Sequence, residues 1–370
     1  MATLGLIFSA THCQSSLTIT KNRTIASVPV GGRYRLIDFT LSNMVNDGVN
    51  HIGLVTTTNY QSLIDHIESA KEWDLARKHG GLTLLPPYTN KPSKDNNRLE
   101  SLRNIIDFIR RAPEEYVILT DSYHMCNIQY EPVFKELFNK KADIVCVYRK
   151  VDLSKHDYTP VKTLTLANDG RVIELNFEEE LKGKVNMSLD IWVMRKDLLV
   201  SLVEMAIKAD LHSFNRDILS NHLDKYRVYG YEFKGYFNEV TSLKSYFDLN
   251  MDLLNMDVRS ELFWTENRPI YTKVRDSAPT KYITGCKVSN STIADGCIIE
   301  GTVENSVIFR GVTVKKGAVV KDCVLMQDTV IEEDAYLQYV VTDKNVTVTN
   351  GTKIRGTHEN IKYIKKFEVI

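Results

Sequence analysis

The chain has 370 residues, and its 47 Lys plus Arg balance 47 Asp plus Glu, for a formal net charge of zero. That length suggests two domains or one large one, and neutrality argues against the broad basic face of a non-specific nucleic-acid binder. No run of eighteen apolar residues marks a membrane-spanning helix, and the Met1–Phe8 segment carries no basic signal-peptide flank.

Residues 1 to about 260 alternate short apolar runs with longer helical patterns. Leu4–Phe8 reads as a buried strand, Asp38–Asn46 as a helix, His51–Thr56 as the next strand and Ser62–Ile67 as the start of another helix. Tyr116–Thr120 and Ala142–Tyr148 read as further buried strands. Such alternation implies right-handed crossovers and a mostly parallel, Rossmann-like α/β sheet, with ligands at the carboxyl ends of its strands. Leu85–Asn97, with three prolines, reads as a long surface loop.

After about residue 270 helical periodicity disappears. Val312, Ala318, Val324, Val330 and Tyr336 fall six apart; so do Ile308, Val314, Val320 and Met326, and so do Ile293 and Ile299. A six-residue period fits a parallel β-helix whose apolar residues point inward, with Gly285, Gly296, Gly301, Gly311, Gly317 and Gly351 at its corners. An antiparallel sandwich is the alternative, but strands of period two do not easily sustain two staggered rows of period six. No histidine occurs between residues 270 and 357, so the acyltransferase chemistry that uses such coils has no base there. The coil is expected to be a packing surface for the first domain and for other subunits. The expected division is 1–262 and 263–370. The six cysteines (Cys13, Cys126, Cys146, Cys286, Cys297 and Cys323) form no CxxC pair and suit reduced thiols of a cytoplasmic protein.

The stretch Val28-Pro29-Val30-Gly31-Gly32-Arg33-Tyr34-Arg35-Leu36-Ile37-Asp38-Phe39-Thr40-Leu41-Ser42-Asn43 is specific enough to carry a resemblance. It resembles the P-F-G-G-K-Y-R-I-I-D-F-x-L-S-N segment of the glucose-1-phosphate adenylyltransferase (ADP-glucose pyrophosphorylase) family. The likeness returns at Leu84–Tyr88, Asp107–Arg111, Tyr246–Leu254, Pro269–Thr272 and Asp343-Lys344-Asn345-Val346. It implies a GT-A-like nucleotidyltransferase domain followed by a left-handed β-helix, usually in tetramers. Active members make ADP-glucose and pyrophosphate from ATP and glucose 1-phosphate for glycogen synthesis.

Nucleotidyl transfer needs cations and backbone amides for phosphate charge, and carboxylates for Mg²⁺. Where active members read G-G-x-G-x-R after the first strand, this chain has Phe8-Ser9-Ala10-Thr11-His12-Cys13. Phe8, Ser9 and Thr11 put side chains in the phosphate space, and Cys13 replaces the arginine. R-A-K-P becomes Arg23-Thr24-Ile25-Ala26; Arg23, Arg33 and Arg35 remain as phosphate or effector contacts, or as a solvated basic face. The base-recognition loop G-T-A-D-A-V aligns with Asn97-Arg98-Leu99-Glu100-Ser101-Leu102. Asp121 and Glu239 match the two metal-binding aspartates and could retain Mg²⁺, although Asp121 could equally cap the following turn. Glu178 takes the place of the sugar-phosphate lysine, which reverses the charge. Ser213 replaces a sugar-binding aspartate, and Phe237 stands where a tryptophan is usual.

Each lost charge-assisted contact is worth roughly 1.5–3 kcal/mol, so several together remove on the order of 10⁴-fold of catalysis. The resemblance therefore implies a non-catalytic, regulatory D-type subunit that requires no cofactor. Its expected partner is a catalytic subunit in a heterotetramer, or itself in a homo-oligomer, with a sugar phosphate as a candidate effector. An active transferase of altered substrate choice, and a stand-alone sensor of sugar phosphates or nucleotides, are the alternatives.

Overall fold

The apolar runs that open the chain form the centre of a nine-stranded sheet. The computed structural model describes residues 1–9, 17–56, 58–86, 98–154, 161–177, 181 and 183–370. The sheet's strands are β1 (Thr3–Phe8), β2 (His51–Val55), β3 (Gly81–Leu85), β4 (Tyr116–Asp121), β5 (Ile144–Asp152), β6 (Thr163–Leu166), β7 (Val172–Asn176), β8 (Lys184–Arg195) and β9 (Val228–Glu232). Their order is β7-β6-β8-β4-β1-β2-β3, with β5 pairing both β8 and β9. Strand β1 is buried along its whole length. Its side chains alternate between two cores, Ile7 in one and Leu4, Leu6 and Phe8 in the other.

Strands β3, β2, β1 and β4 are parallel, as the alternating pattern predicts. The other half corrects the expectation of a mostly parallel sheet. Strand β8 runs antiparallel to β4 and β5, and β6 runs antiparallel to β7. Among the described residues no helix lies between β6, β7 and β8, and strands without a long crossover between them pair antiparallel. The helix Leu36–Asn46 starts two residues before the expected Asp38. The Asp38 carboxylate accepts the Arg35 N–H at 2.9 Å and so caps the first turn.

From Lys281 to Ile364 short strands stack in parallel into the left-handed β-helix. The repeat is not three full hexapeptides. From Asn305 on, left-handed corner residues recur every 17 positions, as in Asn305, Asp322 and Tyr339, or Gly311, Asp328 and Asn345, whereas Asn290 to Asn305 and Gly296 to Gly311 are 15 apart. The coils thus fall short of eighteen residues, and the inward phase slips. Ile308, Val314 and Val320 face the coil interior as expected, but Leu325, Ile331 and Leu337 continue the row. Met326 and Val324 instead pack against the first domain, and Val330 and Tyr336 are only half-buried. At Gly317 (φ 79°) a Cβ would strike the Asp334 side chain as it stands, so this corner favours glycine.

One face of the coil is covered by the N-terminal domain. Val307, Val324 and Val341 share a core with Ile19, Phe39, Tyr246 and Leu249. Across this junction the buried Arg23 guanidinium makes a two-pronged ion pair with Asp343, at 2.6 and 2.8 Å. Tyr363 also donates its hydroxyl to Asp343 at 2.7 Å. Cys126, Cys146, Cys297 and Cys323 are buried and unpaired, and Cys286 is half-buried.

Candidate functional site

Two places hold the charged groups that could contact a ligand: the carboxyl edge of the parallel strands, and the junction between sheet domain and coil.

At the carboxyl edge, β1 ends in Phe8, which lies beside Asp121 at the end of β4. Phe8 and Ser9 are both buried, and Ser9 N–H donates to the Val55 carbonyl at 2.9 Å. Thr11, Cys13 and Glu178 lie outside the described residues. Arg98, the first residue of the helix Arg98–Asn104, reaches into this edge. Leu99 and Leu102 of the same helix are fully buried and fix its position. The Arg98 guanidinium donates to Asp121 Oδ2 at 2.8 Å and to the Asp190 carbonyl at 3.0 Å. It also sits 5.3 Å from the centre of the Phe8 ring.

Asp190 interrupts the apolar centre of β8 at an irregularity in strand pairing and takes a left-handed φ of 55°. Its carboxylate accepts from Lys162 Nζ at 2.5 Å, from the Tyr123 hydroxyl at 3.2 Å and from Asn215 Nδ2 at 3.3 Å. Glu239 is buried nearby, and its pKa is pushed up to about 8, first by burial and then by the Asp190 and Asp121 carboxylates. It is therefore mostly protonated at neutral pH. His124, opposite Glu239 across a two-stranded ribbon, stacks on Phe237 and is held neutral by burial, its pKa down to about 4.

These residues do not fit Mg²⁺. Asp121 already shares an oxygen with a guanidinium, and Glu239 favours its neutral form. Among the described residues no group of three or more His, Cys, Asp or Glu side chains is placed to hold a metal. A divalent ion about 4 Å from the guanidinium would be repelled by roughly 8 kcal/mol at an effective dielectric of about 20. Ser213 is spent locally: its hydroxyl accepts the Arg216 N–H at 3.2 Å, and its own N–H donates to Asp217 at 2.8 Å. The two backbone donors, Ser213 and His212, hold the Asp217 carboxyl below its usual range.

At the junction, Arg33, Arg35, Lys273, Arg275, Arg310 and Lys344 line a pocket, together with His66 and Gln327. Among the described residues no ion pair reaches Arg33, Arg35, Arg275 or Lys344. Burial first, then Arg35, Arg23 and Arg275, push the Lys344 ammonium down to about 7. Burial likewise pulls Arg35 down to about 10. His66 donates its Nε2–H to the Asp38 carboxylate at 2.6 Å, and burial lowers its pKa. The sequence reading gave Arg23 to a phosphate or effector along with Arg33 and Arg35. The structure brings the last two into the pocket, but Arg23 is 4 % exposed and its guanidinium is taken by Asp343.

The sequence model for nucleotidyl transferases matches residues 17–256, and the model for a GlmU-like C-terminal hexapeptide region matches 278–369. The chain is 32% identical to the glycogen biosynthesis protein GlgD of Bacillus subtilis (strain 168) over 364 residues, which is 98% of this chain and 95% of that protein. The chain belongs to the glucose-1-phosphate adenylyltransferase family. Other members it resembles include GlgD of Geobacillus stearothermophilus, 33% identical over 85% of this chain and 82% of the relative. The glucose-1-phosphate adenylyltransferase of the same organism is 32% identical over 81% and 78%.

Sequence reasoning missed three members of the family site as it stands here. Arg98 stands in the segment aligned with the base-recognition loop, and its charge was the available signal. Asp190 was legible as a lone carboxylate inside the apolar run Leu189–Trp192. Lys162 carries no motif. At the junction, Lys344 lay within a family-like phrase, but nothing local tied it to Arg35.

Proposed function

We propose that this chain is a regulatory, non-catalytic subunit of glucose-1-phosphate adenylyltransferase, acting in the cytoplasm to support ADP-glucose formation for glycogen synthesis. The observation that carries the reading is the pairing of Asp121 with Arg98, which engages the carboxylate that a metal–nucleotide complex would need. Likeness to two GlgD proteins over most of the chain supports it. The coil and its outward strands suit assembly with a catalytic subunit, in a heterotetramer or with further copies of itself. Regulation then acts as a coupling free energy between subunits.

Mixing this chain with the catalytic subunit should change the rate or apparent substrate affinity of ADP-glucose synthesis. The isolated chain should give no ADP-glucose pyrophosphorolysis above background. An unchanged rate on mixing, or turnover by the isolated chain, would sink the reading.

The junction pocket favours a second role within the same proposal: binding a phosphorylated effector such as a sugar phosphate. Arg33, Arg35, Arg275 and Lys344 supply the charge, and a phosphate among them would relieve their mutual repulsion. Inorganic phosphate should raise the unfolding midpoint if it binds there, since a ligand of the native state stabilises it.

A further inference from the structure

We infer that Arg98 is a built-in counter-cation that takes the place of a divalent metal at the carboxyl edge and holds that edge closed to metal–nucleotide complexes. This rests on the non-catalytic reading but goes beyond it, because it assigns the exclusion to one side chain and not to the missing phosphate loop.

The argument begins with charge. Asp121 and Asp190 bring two negative charges into a buried place, 1 % exposed in each case. Arg98 and Lys162 bring two positive charges, at 2.8 Å from Asp121 and 2.5 Å from Asp190. Among the described residues these four charges balance. A divalent cation entering the same place would add two positive charges to that set, in surroundings that penalise unpaired charge.

Geometry adds to this. Mg²⁺ requires oxygen ligands at about 2.0–2.1 Å in near-octahedral array. The Arg98 guanidinium already binds Asp121 Oδ2 and the Asp190 carbonyl from one side. It also lies 5.3 Å from the Phe8 ring centre. It has little freedom to withdraw, because Leu99 and Leu102 anchor the first turns of its helix in the core that also holds Phe8, Leu119 and Trp192. Phe8 and Arg98 both lie in segments where active members of the family carry small residues, so one ring and one guanidinium together fill space that would otherwise face the nucleotide.

The test is a Mn²⁺ titration followed by electron paramagnetic resonance of the free ion, on the whole chain. Wild type and Asp121→Asn should leave Mn²⁺ equally free up to about 1 mM, a regime of weak binding. Arg98→Gln, which removes the charge but keeps much of the volume, should bind Mn²⁺ at least roughly tenfold more tightly than wild type. The double variant with Asp121→Asn should lose that gain. Arg98→Lys, which keeps the charge, should stay near wild type. Two outcomes overturn the inference: Mn²⁺ binding by wild type that Asp121→Asn abolishes, or a folded Arg98→Gln protein with no gain. The first arm needs no change at Arg98, so the inference can be overturned even if Arg98→Gln fails to fold. Turnover plays no part in this readout, so the inference can fail while the regulatory reading stands.

Discussion

The two charged places in this molecule differ in how their charge is matched. At the carboxyl edge Arg98 and Lys162 each meet a carboxylate inside the fold, and Glu239 stays protonated. At the junction several cations converge without an equal number of partners, and the Lys344 ammonium is driven down to about 7. A matched cluster stabilises itself and has little to offer a ligand. An unmatched one stores repulsion that only an anion relieves. The same fold therefore holds one site occupied by its own side chains and another that still calls for a ligand.

The largest effect should come from the clamp between the two domains. Arg23→Ala leaves Asp343 buried and unpaired, and losing one partner of a buried pair costs about 3–5 kcal/mol. Urea unfolding should show a loss of that size in Arg23→Ala, and a smaller one when Arg23→Met and Asp343→Leu are combined. If single and double variants lose equally little, Arg23 is not structural and returns to the pool of anion contacts.

Next in size is the response to anions. Phosphate at about 100 times its dissociation constant should stabilise the native state by about 2.7 kcal/mol. Lys344→Gln or Arg35→Gln should weaken that response several-fold, and Asp121→Asn should leave it intact. A phosphate effect that vanishes in Asp121→Asn would place anion binding at the carboxyl edge and invert the comparison.

How far each place could be read from sequence follows from the range of the interactions involved. The strands β1, β2 and β4 were legible because their apolar runs are local signals, and the coil because glycine and β-branched residues recur. The 17-residue repeat was not, since a side shortened by one residue depends on a left-handed corner at Asp322 or Tyr339, which are ordinary residues in sequence. The antiparallel half of the sheet was hidden for a similar reason: pairing of β8 with β4 joins residues 73 to 79 apart, as in Trp192 with Leu119 and Arg195 with Tyr116. Losses at the carboxyl edge could be read wherever a family motif named the position, as at Phe8 and Ser213. What replaced them could not be. Arg98 reaches Asp121 across 23 residues and Lys162 reaches Asp190 across 28. The junction pocket gathers cations from near residues 33, 275, 310 and 344. No local pattern brings these together; only the docking of the coil does.

The smallest effect is also the sharpest test of the contrast, because the two places should titrate in opposite senses. Glu239 has a folded pKa raised to about 8 from its ordinary 4.5. The native state then holds a proton that the unfolded chain has released, so its contribution to stability is full below about 4.5 and is lost as pH rises through 8. Lys344 has a folded pKa lowered to about 7 from 10.5. Here the unfolded chain holds the extra proton between those values, so stability rises with pH from about 7 towards 10.5. Glu239→Gln should flatten the decline on the acid side of 8, and Lys344→Met the rise above 7, when unfolding free energies are measured across the range. Bound phosphate favours the charged ammonium and should raise the Lys344 pKa, so phosphate affinity should fall between pH 6.5 and 8.5 in wild type and vary less in Lys344→Met. Should both variants shift the same limb of the pH profile, the two places share one electrostatic environment and the contrast between a matched and an unmatched site fails.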